Sequence, residues 1–453
     1  MKTTGRAVDL TEGNITKQIV RFTLPILAGL VFQTLYNNVD SLVVGNFIGK
    51  EALAAVNACT PIYNLLVGFF LGMSTGASVI FSKAFGAGDF PRLRDAIHTT
   101  VLFALIVGIA LGAAGVALVP LILRLLNCQP DIIDYTGQYL RIYIAGILFT
   151  AFYNVGAAVL RSVGDSRSPF YALVLCSLLN IVLDIVFTAL LRWGVAGVAL
   201  ATVLAQGVSV VLVLSRMRRM DARCRLEWRA LRIHRGLLGE ILRMGIPAGL
   251  QASLIAISNI FVNRYTNGFS SELMAGVGVA QKVDRFAMMP CQSLGLAATT
   301  YISQNLGAQR TERIKKGLAS CLLLGVVCVA AIGALIGFNA AGIMRLFNRD
   351  AQVVAYGAGM MRVCAPMYVF PLAAQIACGT LRAYGYSQQV TMLSLLGMVV
   401  IRQIYLAVLL RLIPSPSVIF WGYPVGWCSD TFLQLLLGFV VYRRHRRAAL
   451  PLQ

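Results

Sequence analysis

Two carboxylates stand inside long apolar runs of this chain, and amides accompany each of them. The first lies in Gln33-Thr-Leu-Tyr-Asn-Asn-Val-Asp40 and the second in Asn180-Ile-Val-Leu-Asp184. In the second, the i,i+4 spacing sets amide and carboxylate on one helix face. A charged side chain at the middle of a bilayer helix costs roughly 2.5–3.5 kcal/mol on insertion scales, so an ionisable residue placed there is read as functional. Carboxylate, amide and hydroxyl oxygens suit a hard cation such as Na⁺, and two acids sharing a low-dielectric place favour keeping one proton between them. The chemistry expected is reversible binding of Na⁺ or H⁺ at Asp40, Asp184 and Asn180, in exchange for cargo. Asn154 and Thr202 of the same half are expected to join them in the ion-coupling site, and Na⁺, if it is the ion, falls to Asp40, Asn180 and Asp184.

Such a site needs helices that cross a membrane. The 453 residues are 58% hydrophobic and 13% charged, with a mean hydropathy of +0.75, which excludes a soluble protein of this size. Apolar runs of about 20 residues, the length that spans a bilayer, recur along the whole chain between short polar breaks, the pattern of a helical bundle and not of an alternating-period barrel. Twelve spans are read, at about 17–45, 52–82, 94–126, 135–160, 168–191, 194–215, 238–264, 273–304, 313–337, 354–380, 387–412 and 418–442. Pro25 sits near the start of the first and removes a helix hydrogen bond, so a bend is expected there.

The net charge of +21 raises the question of nucleic acid, and the placement of the basic residues answers it. Of the 39, 27 fall at the termini and in alternate loops, seven in the other loops and five inside spans. That excess marks the cytoplasmic side of a cell membrane, with both termini inside, and leaves contact with anionic lipid as its other consequence. The ten cysteines show no metal-like spacing and read as small core residues, and the three histidines do not cluster. Residues 1–14 are polar, so no cleavable signal peptide is expected.

Arg216 to Arg243, with nine arginines, is the long hydrophilic break and divides two similar halves. Pro25 answers to Pro247, Glu51-Ala-Leu-Ala-Ala-Val56 to Glu272-Leu-Met-Ala-Gly-Val277, Gly86-Ala87 to Gly307-Ala308, and Leu160-Arg161 to Leu381-Arg382. The expected organisation is an N-terminal arm (1–16), an N-lobe of six helices (17–215), a basic linker (216–237), a C-lobe of six helices (238–442) and a tail (443–453). Parallel repeats of this kind build a central cavity for cargo. Gln33, Tyr36 and Asn37 of the first half and Gln251, Asn259 and Gln281 of the second are expected to line it.

The halves differ at the acids. Asp40 maps to Val262 or Phe261, Asn180 to Ile401 and Asp184 to Tyr405, so the ionisable site belongs to the first half alone. The second half has charges of its own in Lys282, Asp284, Arg285 and Arg402, and Lys282, Asp284 and Arg285 are expected to pair with one another. Gly86-Ala-Gly-Asp89 fits the pattern of intramembrane aspartyl proteases, but Phe90-Pro-Arg-Leu-Arg94 places Asp89 in a basic loop, away from any partner acid at its own depth. No enzymatic constellation is left.

Pro25, Tyr36-Asn-Asn-Val-Asp40, Val44-Gly45, Ile48-Gly49, Glu51-Ala-Leu-Ala-Ala-Val56 and the Leu-Arg-x-x-Gly turns at Leu160 and Leu381 together resemble the multidrug and toxic compound extrusion transporters, over about residues 15–442. The resemblance implies an all-α membrane protein of twelve helices in two lobes arranged as a V, alternating access, and efflux of organic cations or drugs driven by Na⁺ or H⁺. It carries the family's N-lobe ion site onto Asp40, Asn180 and Asp184. One subgroup has acids in the seventh and tenth helices; this chain has none deep in those spans, where the amides Gln251, Asn259 and Gln375 stand. The expected partners are small organic cations or drugs and the lipid bilayer, with no nucleic acid, no cofactor beyond the coupling ion, and function as a monomer. The alternative is a flippase of the same superfamily for lipid-linked oligosaccharide or peptidoglycan precursors. Such cargo calls for several cavity cations, and only Lys282, Arg285 and Arg402 are candidates.

Overall fold

A segment that enters lipid must satisfy its backbone internally, and the apolar runs do so as helices. The computed structural model describes residues 9–125 and 130–448. Residues 1–8 of the expected arm and 449–453 of the expected tail lie outside the described residues. The first half comprises α1 (Ile15–Phe47), α2 (Lys50–Gly86), α3 (Phe90–Leu125), α4 (Pro130–Ala145), α5 (Ile147–Ser162), α6 (Arg167–Ile185) and α7 (Gly194–Arg218). The second comprises α8 (Arg235–Asn267), α9 (Ser271–Gly307), α10 (Thr311–Phe347), α11 (Ala351–Cys364), α12 (Val369–Ala383), α13 (Ser387–Leu395), α14 (Arg402–Leu412) and α15 (Pro416–Ala448).

The repeat is visible in these elements. Helices α1 and α8 each have 33 residues, α2 and α9 each have 37, and each member of the first pair carries a proline. A π-turn follows α6 at Val186–Leu190, and another lies between α13 and α14 at Leu396–Ile401. Among the described residues nine helices are long and apolar enough to cross a membrane, and two bent pairs bring the number to eleven. Helix α9 supplies the twelfth span. It matches α2 in length but carries Glu272, Lys282, Asp284 and Arg285, so its average hydropathy understates its role. The outward faces suit lipid: on α10, Leu323, Val327, Leu335 and Phe338 are all exposed, Phe338 at 90%.

Two spans expected to be continuous are broken. The fourth bends by 44° between α4 and α5, and the tenth by 48° between α11 and α12. At the first break stands Gly146, where a Cβ would come within 2.4 Å of Val203, so the chain turns at the residue that lets α7 approach. At the second, Pro366 sits in the short 3₁₀ turn Ala365–Met367.

The chain forms two compact units. Unit 1 consists of the residues up to Gly13, Val20–Gly249 and Gln304–Gln309; unit 2 consists of Asn14–Ile19, Leu250–Ser303 and the residues from Arg310 onward. The division therefore falls inside α8, and the basic segment expected to be a linker belongs to unit 1. Its apolar residues explain this, because Cys224 and Leu226 are buried in one core with Phe81, Leu93, Val159 and Met217. Polar contacts pin the rest. The Glu227 amide donates to His98 Nε2 at 3.1 Å, the His234 amide to Thr99 at 3.1 Å, and Arg94 pairs with Glu227 at 2.7 Å. Hydrogen bonds from Arg225, with the nearby Arg94, hold the Glu227 carboxyl below the usual carboxylate range. A second core of unit 1 gathers Val44, Ala52, Val119, Ile144, Ala151 and Val198. Unit 2 has a core cluster of Cys378, Leu381, Val390 and Val441.

Candidate functional site

Three helices of unit 1 bring the polar residues together. Asp40 stands in the C-terminal half of α1, Asn180 and Asp184 in the last turns of α6, and Thr202 in α7. The carboxyl groups of Asp40 and Asp184, 144 positions apart in the chain, face one another. Asp184 is fully buried and Asp40 half-buried. Both oxygens of Asp184, Oδ1 of Asp40 and Oδ1 of Asn180 are enclosed without a hydrogen-bond partner. No salt bridge reaches either acid among the described residues. Asn180 Nδ2 lies 3.5 Å from Thr202 Oγ1, which itself donates to the Val198 carbonyl at 3.1 Å. The Thr188 hydroxyl donates to the Asp184 carbonyl inside the π-turn, a local widening of the helix that recurs at functional positions.

Asn154 takes no part in these contacts. Its Nδ2 donates to the Thr150 carbonyl one turn back at 2.8 Å, while the Thr150 hydroxyl is held by Gln206 at 2.6 Å. An amide on a helix finds a carbonyl of its own helix more easily than a partner across the bundle. Of the expected cavity residues in this unit, Tyr36 is buried, Gln33 is half-buried and Asn37 is exposed.

Sequence reasoning named Tyr36 and missed Tyr63, Tyr139 and Tyr143. Tyr63 of α2 and Tyr139 of α4 lie within electrostatic reach of Asp40, and the Tyr36 hydroxyl faces that of Tyr63. Tyr63 and Tyr143 have ring centroids 5.1 Å apart, and Tyr139 stacks on Tyr143 at 6.2 Å. The acids thus sit beside a layer of aromatic rings with polar tips. The i,i+4 pair Tyr139/Tyr143 inside an apolar run was the available signal. Orphaned carboxylate and amide oxygens with hydroxyls close by form a donor set suited to a proton or a small hard cation, so the residues present fit H⁺ or Na⁺. Among the described residues no group of three or more His, Cys, Asp or Glu side chains could hold a metal.

The residues of unit 2 are arranged otherwise. Gln251 accepts from Arg382, Asn259 is exposed, and Gln281 Nε2 donates to Asn263 at 3.1 Å and to the Tyr423 hydroxyl at 2.8 Å. The expected pairing of Lys282, Asp284 and Arg285 does not form, because Asp284 turns toward Tyr368 while Lys282 and Arg285 are exposed.

Residues 25–186 and 247–408 each match the family model MatE. The chain is 30% identical over 407 residues to the probable multidrug resistance protein YpnP of Bacillus subtilis, covering 88% of this chain and 89% of that protein. It is 28% identical over 382 residues to the probable multidrug resistance protein YoeA of the same organism, covering 83% and 82%. Among solved structures, the outward-facing conformation of a multidrug resistance MATE family transporter of the MOP superfamily has the same fold. The TM-score is 0.91 at 24% identity, over 99% of this chain and 100% of that one.

Proposed function

The chain belongs to the MatE family, and from that premise we propose that it is a secondary antiporter exporting cationic or amphiphilic drugs and other toxic organic compounds in exchange for Na⁺ or H⁺. The observation that carries this reading is the pair Asp40 and Asp184, facing carboxyls with enclosed, unpartnered oxygens. A buried carboxylate without a basic neighbour calls for a positive charge that can come and go. Proton, Na⁺ and cationic cargo all qualify. Because they compete for one place, arrival of one favours departure of another, and a ligand shifts an equilibrium only through such differential affinity. The names of the two Bacillus relatives support a drug-like cargo. A flippase for anionic cargo needs several cavity cations, and of the three candidates Arg402 is only 1% exposed, which leaves Lys282 and Arg285.

The test is efflux of a cationic dye from proteoliposomes under Na⁺ and pH gradients imposed separately. One of the two gradients is expected to drive it; efflux indifferent to both refutes antiport.

Bending of α1 is the proposed route from charge to movement. Proline at position 25 leaves a carbonyl one turn earlier without its donor, so two bends of α1 differ little in energy. With Asp40 ionised and a cation held against it, α1 stays straight; with the proton bound, the pocket collapses and cargo leaves. Pro25→Ala is expected to leave dye binding nearly intact and to slow driven efflux. Poor binding with normal turnover of each bound molecule contradicts this role.

In this reading the protein works as a monomer in the cytoplasmic membrane, with its termini and the segment at 216–237 inside, as the excess of basic residues there supports. In a background without native cysteines, an impermeant thiol reagent on whole cells is expected to label Asp131→Cys and to spare Arg229→Cys. The reverse pattern inverts the topology.

A further inference from the structure

The arginine-rich segment between α7 and α8 is folded onto unit 1, and the exchange described above uses none of it. From Arg216 to Arg243 it holds nine arginines, no lysine, and three acids, Asp221, Glu227 and Glu240. Each acid is already taken. Asp221 pairs with Arg223 at 2.9 Å, Glu227 with Arg94 and Arg225 at 2.7 and 2.9 Å, and Glu240 with Arg92 at 2.7 Å. Arg218, Arg219, Arg229, Arg232 and Arg235 are exposed, and among the described residues no ion pair reaches them. Beside Arg229, in the short 3₁₀ turn Trp228–Ala230, Trp228 is 45% exposed.

The fold sets the depth of these side chains. Thr99 donates to the Arg232 carbonyl at 3.2 Å and accepts from the His234 amide at 3.1 Å. His98, 2% exposed, has both ring nitrogens committed: Nε2 accepts from the Glu227 amide, so Nδ1 carries the proton and donates to the Arg94 carbonyl at 2.7 Å. Residues 227–234 are thereby fastened alongside residues 94–99 of α3. That helix has 36 residues. At 1.5 Å per residue it is roughly 54 Å long against about 30 Å of hydrocarbon, so about 12 Å at each end stands outside the hydrocarbon when the excess is shared evenly. Residues 94–99 lie roughly 6–14 Å from its start, which is the level of the headgroups.

We infer that Trp228, Arg229, Arg232 and Arg235 form a docking surface for anionic phospholipid. A guanidinium offers phosphate oxygens a planar fork, where an ammonium offers a point charge, and this segment uses arginine alone. Tryptophan favours the membrane interface, with its ring toward the chains and its N–H toward water. Basic residues next to a bilayer attract anionic lipid, and the attraction belongs to those whose charge no acid of the chain has neutralised. Arg218 and Arg219 add to the same field. The surface owes nothing to Asp40 and Asp184 or to the direction of transport.

The experiment places the purified full-length protein in vesicles of phosphatidylcholine with a minor share of phosphatidylglycerol. One lipid or the other carries a nitroxide quencher close below its headgroup. The fluorescence of Trp228 is the difference between each protein and its Trp228→Phe counterpart. Labelled phosphatidylglycerol is expected to quench it in preference to labelled phosphatidylcholine, by at least about threefold in relative binding. A label near the chain end is expected to quench it less. Arg229→Gln/Arg232→Gln/Arg235→Gln is expected to bring the two lipids to parity at an unchanged melting temperature, and Arg229→Gln alone to shift the ratio part of the way, which serves if the triple variant melts early. Arg345→Gln/Arg349→Gln/Arg411→Gln removes the same charge elsewhere and is expected to keep the wild-type preference. Equal quenching by the two lipids in the wild type, a preference that survives the first triple substitution, or one lost equally in both triple variants overturns the inference. Trp228 fluorescence that neither lipid reaches but that responds to added RNA also overturns it, and makes the arginines a nucleic-acid patch. No readout here involves efflux, so failure of this surface and failure of the antiport reading are separate results.

Discussion

Asp184→Asn is expected to lower gradient-driven efflux at least about tenfold while leaving the protein as stable as the wild type or more so, and Asp40→Asn is expected to do the same. Both halves of that statement follow from one observation. Asp184 is fully buried, and neither of its carboxylate oxygens has a partner. A charge in that position costs folding energy, whereas an amide of the same shape offers donors as well as an acceptor. Stability therefore holds or rises. Coupling falls, because a site with no charge to neutralise gives the driving ion no differential affinity, and a ligand that binds both states equally shifts nothing. The two measurements are driven efflux in proteoliposomes and the melting temperature in detergent. Wild-type efflux from both variants removes the acids from the mechanism. A large fall in melting temperature makes them structural instead.

The other large effect is expected at glycines where backbones meet inside unit 1. A Cβ at Gly72 would come within 2.2 Å of the Gly249 nitrogen, one at Gly76 within 2.5 Å of Gly245 Cα, and one at Gly86 within 1.9 Å of the Gln304 carbonyl oxygen. These obstacles are main chain, with no flexible end that could swing aside. Substitution must move α2 away from the first part of α8 or from residues 304–309. Overpacking of a close interface costs roughly 1–3 kcal/mol even where side chains can adjust, so rigid contacts exceed the low end of that range. Gly76→Ala is expected to lower the melting temperature by several degrees, and Gly76→Val to prevent recovery of folded protein. Gly236→Ala and Gly239→Ala, with nothing within 4 Å of the added carbon, serve as controls and are expected to behave as wild type. A Gly76→Val protein that melts like the wild type shows that this contact is not needed.

Membrane class, helix number, duplication and the two N-terminal-half acids were legible in the sequence because each is written locally. Hydrophobic length, the spacing of arginines and the recurrence of Pro25 as Pro247 need no knowledge of neighbours. An acid in an apolar run is conspicuous because its solvation cost does not depend on where the chain folds. What only the tertiary structure decided concerns partners. That Asp40 faces Asp184, and that Tyr63, Tyr139 and Tyr143 gather beside them, joins residues of four helices that no spacing relates. Asn154 satisfies its amide on its own helix, which a list of polar residues does not disclose. Cys224 and Leu226 draw the arginine-rich segment into unit 1 because two buried side chains outweigh the polar character of the stretch around them. Asp284 pairs with none of the charges next to it, since neighbours at i−2 and i+1 point to other sides of a helix. Its surroundings come from α15 and the turn after α11, far along the chain, and packing alone brings them to it.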